Sequence, residues 1–397
     1  MEKPAYAGGT PVRDTKIYYG HQYVDEDDVQ AVVEVLRSDY LTCGPKITEL
    51  EKLLCELTGA KYAVACSSDT AALHIACMAA GVSDGDEVIT TPITFLASAN
   101  CAVYCGGTPV FADIDEETYN IDPEEIRSKI TDKTRALVAV DYTGQAVDLD
   151  PIMEMCREKG VIVIEDAAHS IGTSYKGKKV GSIADMTTFS FHPVKTVTSG
   201  EGGAVLTNDE KLYQKLLLYR SHGMTRDESM MTKESEGGWY YEMVDLGYNY
   251  RMTDIQAALL ISQLHKLPMF HDRRKALVEK YNAAFEDMEE LFVQKELPDC
   301  DTTRHLYILR IKPEKLTIDR RQFFDALAAE NIMCNVHYIP VYLQPFYRAR
   351  GYEPGLCPKA EKLYSEMISL PLYYAMTDQD ADDVIHAVRK IAAYYRK

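Results

Sequence analysis

The sequence has no run approaching the ~18 apolar residues of a membrane-spanning helix. Its opening stretch, MEKPAYAGGTPVRD, lacks the apolar centre of a secretion signal. No membrane partner is expected, and a cytoplasmic location is. The ten cysteines include no CxxC pair and show no metal-ligand spacing with histidine. They read as reduced, mostly buried thiols, with no metal site expected. Basic residues are in deficit, leaving a net charge of −18. That balance argues against nucleic acid or an anionic membrane surface as a partner. It does not bear on a small anionic ligand, which needs only local donors. There is no internal repeat and no low-complexity segment.

What remains is ordinary for a soluble globular protein: 46% hydrophobic and 26% charged residues. A chain of 397 residues is too long for one small core, so a large domain and a second one are expected. Residues 1–25 read as an extended arm with Pro4, Gly8, Gly9 and Pro11. DEDDVQAVVEVLRSD reads as a helix with an acidic first turn, and ITELEKLLCELTG as an amphipathic helix stopped by Gly59. From KYAVAC onward, short apolar strands alternate with helices through EVITT, TPVFADI, RALVAV and VIVIED. Strands and helices alternating over short loops imply a mainly parallel sheet between two helical layers, the α/β class. Residues 26–267 are read as this domain. Near Pro268 the character changes, and 268–397 read as a smaller α+β domain. Ligands of such sheets sit beyond the carboxyl ends of the strands, so the residues just after each strand carry the functional reading.

Four such positions stand out. Ser67-Ser68-Asp69-Thr70 joins a strand to a helix, whose free N–H groups would suit a phosphate; an ordinary N-cap would look the same. Phe95 opens the helix after EVITTPIT and could stack on a flat ligand or simply fill a core. Asp166 ends a fully apolar strand and needs a partner, either a cap or salt bridge or a pyridinium nitrogen. Lys195 lies between two apolar strands in FSFHPVKTVTSGEGG. Burial there disfavours an ammonium and suits an amine nucleophile, whereas a hairpin tip would leave it inert. Together, a phosphate site, a stacking ring, a carboxylate and an amine describe a site for pyridoxal 5′-phosphate.

The motifs SSDTAALHIA, TTPITFLASAN, VIVIEDAAHSIG, FSFHPVKTVTSGEGG, RSHGM and LGYNYRMTDIQAAL resemble those of DegT and StrS nucleotide-sugar aminotransferases. The resemblance covers almost the whole chain, in order. It implies the fold-type I architecture of pyridoxal phosphate (PLP) enzymes, as in aspartate aminotransferase, and a homodimer with shared sites. It implies that Lys195 carries the cofactor and shuttles the proton. Asp166 would partner the pyridinium nitrogen, with His169 beside the phenolic oxygen and Phe95 on the ring. Ser68, Asp69, Thr70 and Ser190 would hold the phosphate, and Asn249 the phosphate of the neighbouring subunit's cofactor.

Further runs, IYYGHQYVDEDD, LTCGP, VDYTGQAVDLD and VHYIPVYLQPFY, are most similar to one branch of that family. Its members transfer an amino group from L-glutamate to a UDP-linked 4-keto-6-deoxy-N-acetylhexosamine. The product is UDP-4-amino-4,6-dideoxy-N-acetyl-β-L-altrosamine, on the way to pseudaminic acid. On that similarity Tyr19, Tyr40, Leu41, Thr42, His337, Tyr338, Ile339 and Pro340 are expected to contact the nucleotide sugar; the tyrosines and His337 could equally be packing residues. Another UDP-, dTDP- or GDP-linked 4-keto or 3-keto sugar is the alternative substrate. A sugar dehydratase of the same family carries histidine in place of Lys195. A non-catalytic PLP- or sugar-binding regulator would not need the lysine. One departure is Asp69, where the family more often has glycine or alanine. A carboxylate ~4 Å from a phosphate charge is repelled by about 4 kcal/mol at an effective dielectric near 20. Its side chain is therefore expected to turn away from the phosphate, leaving only its N–H to contribute. Ser199 is a milder departure.

Overall fold

The protein is described by a computed structural model covering residues 2–397. Helix α1 (Glu26–Leu36) starts at Asp25, which exchanges hydrogen bonds with Asp28 in a capping box. Helix α2 (Pro45–Thr58) has proline in its first turn and ends at Gly59, whose φ of 81° suits a residue without Cβ. The alternation then runs β1 (Tyr62–Cys66), α3 (Asp69–Ala79), β2 (Glu87–Thr90), α4 (Ala97–Tyr104), β3 (Thr108–Phe111), α5 (Pro123–Lys129), β4 (Thr134–Val140), α6 (Leu149–Lys159), β5 (Ile162–Asp166), β6 (Met186–Ser190), β7 (Gly203–Thr207) and α7 (Glu210–Arg220). Helices α8 (Asp254–His265) and α9 (Leu267–Phe285) follow.

The seven strands form one sheet in the order β1-β7-β6-β5-β4-β2-β3. All are parallel except β7, which runs antiparallel to both of its neighbours. Its register sets Gly203 opposite Cys66 on one side and Ser190 on the other. The turn after β1, the end of β6 and the glycines before β7 therefore meet at one sheet edge. A Cβ on Gly203 would lie 2.5 Å from the Asp69 nitrogen, so only glycine lets β7 start this close to α3.

Alternation along β1 shows why both faces are covered. Ala63 and Ala65 face a layer containing Leu50 and Leu54 of α2, Ile152 of α6 and Leu260 of α8. Val64 and Cys66 face the opposite layer, with Leu73 and Ile75 of α3 and Leu216 of α7. Each fully buried leucine contributes roughly 1.5–3 kcal/mol.

A second core lies beyond α9. It is built on the antiparallel strands β8 (Leu291–Val293), β9 (Tyr307–Ile311) and β10 (Met367–Leu370), ordered β8-β9-β10. Helices α10 (Arg320–Ala329) and α12 (Asp378–Tyr395) complete it, while α11 (Pro358–Glu366) packs on the other face of the small sheet with Ile308 and Met367. Helix α9 begins in the first core with Leu267 and Phe270 and ends in the second with Tyr281 and Phe285. The arm is not free. Ile17–Tyr18 pair in parallel with Ile332–Met333, and Ile17 is buried in the second core. Glu330 accepts the N–H groups of Ala5 and Val12, each at 2.8 Å, and pairs with buried Lys390. All ten cysteines are unpaired, and among the described residues no helix is long and apolar enough to cross a membrane.

Candidate active site

The site is assembled where β1, β2, β5 and β6 end. At the end of β1, Ser68 caps α3: its Oγ accepts the N–H of Ala71 at 3.2 Å and its carbonyl accepts that of Ala72 at 3.0 Å. The N–H groups of Asp69 and Thr70, in the first turn, remain free to meet an anion. The Asp69 carboxyl turns inward. Its Oδ1 is buried without a partner, as is Oγ1 of Thr188. Burial and the neighbouring Asp166 push the Asp69 pKa up to about 8; Lys195 and the Thr188 hydroxyl act the other way.

Asp166 is buried at the end of β5. Its Oδ2 accepts a 2.6 Å hydrogen bond from Ser98 Oγ and its Oδ1 accepts the N–H of Ala168 at 3.2 Å. Burial raises its pKa, and the Ser98 bond, the Ala168 N–H and Lys195 oppose the rise. Ser98 is placed by α4, and Thr94 Oγ1 lies 2.7 Å from its hydroxyl. Since the Ser98 proton goes to the carboxylate, Thr94 donates to Ser98.

Lys195 sits in the connection between β6 and β7. The residue is partly open to solvent, while its amine lies among protein atoms. Burial lowers its pKa to about 8, and Asp69 and Asp166 resist the fall. Near neutral pH the amine is thus close to giving up its proton, as a nucleophile or a proton carrier requires.

A histidine and tyrosine wall faces this lysine. His169 is buried, with Nε2 3.5 Å from the Tyr338 hydroxyl and Nδ1 unpartnered. Its ring centroid is 4.5 Å from that of His305. Burial first, then nearby charges including Lys195, holds both imidazoles well below the ordinary histidine pKa. His337 has both ring nitrogens engaged. The Val336 N–H donates to Asn335 Oδ1 at 2.8 Å, so Nδ2 of that amide faces His337 Nε2, at 3.2 Å. Nε2 is therefore the acceptor and Nδ1–H donates to Ser369 Oγ at 2.8 Å. Burial and Lys195 lower the His337 pKa to about 4, so its ring is neutral. Tyr19 packs on it at 5.1 Å between centroids.

The structure thus brings together Lys195, Asp166, Asp69, His169, His337, Tyr338 and Tyr19. Phe95 precedes α4 by two residues instead of opening it; the residue is 58% exposed, and its ring is 6.2 Å from that of Tyr338. Ser190 ends β6 and Thr70 lies in the first turn of α3. Pro340 is buried behind the wall and Ile339 is exposed. Tyr40, Leu41 and Thr42 are exposed on the turn before α2, and Asn249 is exposed beside Ser221; no hydrogen bond joins these four to the lysine cluster. Ser98, Thr188 and His305 are site residues that the sequence did not single out. The one signal was the spacing of Ser98, three residues beyond Phe95.

The residues fit pyridoxal phosphate. Two free N–H groups await an anion, a buried carboxylate lacks a dedicated cation, and unpartnered polar atoms of Asp69, Thr188 and His169 line the space beside the amine. The aminotransferase family described as DegT/DnrJ/EryC1/StrS matches residues 22–389. The chain is 42% identical over 375 residues to the spore coat polysaccharide biosynthesis protein SpsC of Bacillus subtilis, covering 94% of this chain and 96% of that one. It is 36% identical over 368 residues to the UDP-4-amino-4,6-dideoxy-N-acetyl-β-L-altrosamine transaminase of Campylobacter jejuni, covering 92% and 94%. Among solved structures, PseC of Helicobacter pylori, an aminotransferase of pseudaminic acid biosynthesis, superposes with a TM-score of 0.89 at 33% identity, covering 96% of this chain and all of that one.

Proposed function

The chain belongs to the DegT/DnrJ/EryC1/StrS aminotransferase family, and from that premise we propose that it aminates C4 of a UDP-linked 4-keto-6-deoxy-N-acetylhexosamine with L-glutamate as donor, giving UDP-4-amino-4,6-dideoxy-N-acetyl-β-L-altrosamine. It is a PLP-dependent sugar aminotransferase. The bound cofactor supplies an electron sink and carries the amino group between the two substrates. The single observation that carries the reading is the placement of an amine, Lys195, with a lowered pKa beside buried Asp166 at the carboxyl edge of the sheet.

Each residue has a task in this reading. Lys195 Nζ takes the proton from Cα of glutamate and delivers one to C4 of the sugar. Asp166, held by Ser98, keeps the pyridine nitrogen protonated. Phe95 covers the ring and His169 sits by the phenolic oxygen. Thr70, Ser190 and the N–H groups of Asp69 and Thr70 receive the phosphate. Asn249, exposed here, reaches the cofactor phosphate of a second copy, making a homodimer with shared sites in the cytoplasm. Tyr19, Tyr338 and the turn at Tyr40-Leu41-Thr42 receive the nucleotide sugar. His337 offers it only a ring face, because both of its nitrogens are engaged.

The purified holoenzyme should lose its cofactor–lysine absorbance band on adding glutamate and regain it on adding the UDP-4-keto sugar. A band that glutamate does not bleach would exclude glutamate as donor. The 42% identity to SpsC favours a second reading, in which another nucleotide-linked 4-keto or 3-keto sugar is the acceptor. Product analysis by NMR with UDP-, dTDP- and GDP-linked keto sugars decides between them.

A further inference from the structure

Helix α2 begins with Gly44 at its N-cap, a residue with no side chain to satisfy the free N–H groups of the first turn. The missing cap comes from another helix. Oδ2 of Asp254 accepts the Gly44 N–H at 2.8 Å, and Oδ1 accepts that of Lys46 at 2.9 Å. The Asp254 N–H in turn donates to the Leu41 carbonyl at 3.0 Å, and Thr42 and Thr253 form a bridge. Asp254 is 1% exposed and lies in the first turn of α8, so one carboxylate sits at two helix N-termini, where both dipoles favour it. The turn so gripped is strained. Cys43 has φ of 55°, unfavourable for a residue with Cβ. Gly44 cannot be replaced by a residue with its own cap: a Cβ there would collide with Tyr40 Cβ and lie 2.7 Å from Asp254 Oδ1.

The same segment also touches the rest of the site. The Tyr250 carbonyl accepts the Ser67 N–H at 2.8 Å, and Gln256 Nε2 donates to the Glu201 carbonyl at 2.7 Å. These contacts hold the turns beside α3 and beside Lys195 without using the Asp254 side chain. The carboxylate itself grips only the amides of Gly44 and Lys46, at the end of the turn whose Leu41 carbonyl the Asp254 N–H holds.

We propose that Asp254 is a positioning residue for the sugar half-reaction alone: it holds the Tyr40-Leu41-Thr42 turn in the geometry that receives the nucleotide sugar, and is dispensable for the glutamate half-reaction. The inference rests on the reading of that turn as a substrate contact. Two measurements on the holoenzyme keep the two ideas apart. Hydrogen exchange of Gly44 and Lys46 amides should quicken at least tenfold in Asp254→Asn and Asp254→Ala, with the amides of 67–71 and 189–203 unchanged. Exchange unchanged at Gly44 and Lys46, or quickened throughout, overturns the positioning role. In steady state the KM for the UDP-4-keto sugar should rise tenfold or more in Asp254→Asn, while the single-turnover rate with glutamate stays within twofold. Equal loss in both half-reactions would make Asp254 merely structural and overturn the proposal. If Thr42→Ala and Leu41→Ala leave the sugar KM unchanged, it is the reading of the turn as a contact that fails. Asp254→Asn retains one acceptor oxygen and decides the matter should Asp254→Ala not fold.

Discussion

Ser98 Oγ donates a 2.6 Å hydrogen bond to Oδ2 of Asp166, reaching across from α4 to the end of β5. The two residues are 68 positions apart, and both are buried. The bond favours the ionised form of Asp166 against the burial that raises its pKa, and an ionised carboxylate is what a pyridinium nitrogen would require.

Ser98→Ala should therefore weaken the site without unfolding it. A hydrogen bond to a charged group is worth roughly 1.5–3 kcal/mol, or roughly 10–150-fold in an equilibrium or rate. The expected result is a loss of that order in the glutamate half-reaction together with weaker PLP retention. Single-turnover absorbance and equilibrium dialysis measure the two. Ser98→Thr, which keeps the hydroxyl, should retain most of both.

Lys195 and Asp69 titrate against each other. In the cofactor-free protein the rate of PLP uptake should rise with pH and level off above about 8, as the Lys195 amine becomes neutral. Asp69 resists deprotonation of that amine, so Asp69→Asn should move the midpoint to lower pH. Stopped-flow absorbance between pH 6 and 10 reads it. A midpoint moved upward would contradict the inward placement of the Asp69 carboxyl.

His337 should make the protein acid-sensitive. Its folded pKa, about 4, lies below the 6.5 of an unconstrained imidazole, so the unfolded chain takes up a proton first as pH falls. Its contribution is complete above pH 6.5 and is lost down to about 4. As pH falls from 6.5 to 4, the native protein should therefore lose up to about 3 kcal/mol of stability relative to His337→Phe. Urea unfolding at pH 4.5, 5.5 and 7 tests the sign.

Glu165 acts in the opposite sense. It is fully buried on the face of β5 away from Asp166, with Oε1 unpartnered and Oε2 accepting from Thr187 at 2.9 Å. Burial raises its pKa to about 7 from an ordinary 4.5. Its folded state is favoured by the bound proton below 4.5, and that advantage disappears as pH rises through 7. Glu165→Gln should thus gain stability relative to the native protein as pH rises from 4.5 to 7, by up to about 3 kcal/mol. Denaturant midpoints at the two pH values measure it.

The sequence by itself determined the alternation of strands and helices, because apolar period and helix caps are written in neighbouring residues. It also made Lys195 and Asp166 candidates, since a charged residue at the end of an apolar strand stands out in one dimension. Only the tertiary structure decided which groups surround them. Antiparallel β7 sets Gly203 against Cys66 and Ser190, a register fixed by packing on both sides. The arm reads in sequence as an extended segment whose aromatic end packs onto something; only the fold shows that Ile17 pairs with a strand more than 300 residues away. Ser98 and Thr188 are ordinary in sequence and matter only because α4 places Ser98 on Asp166 and β6 brings Thr188 near Asp69. Asp254 likewise reads as the first residue of a helix. Its second task, capping α2 at Gly44, follows from a contact across 210 positions that no local pattern encodes.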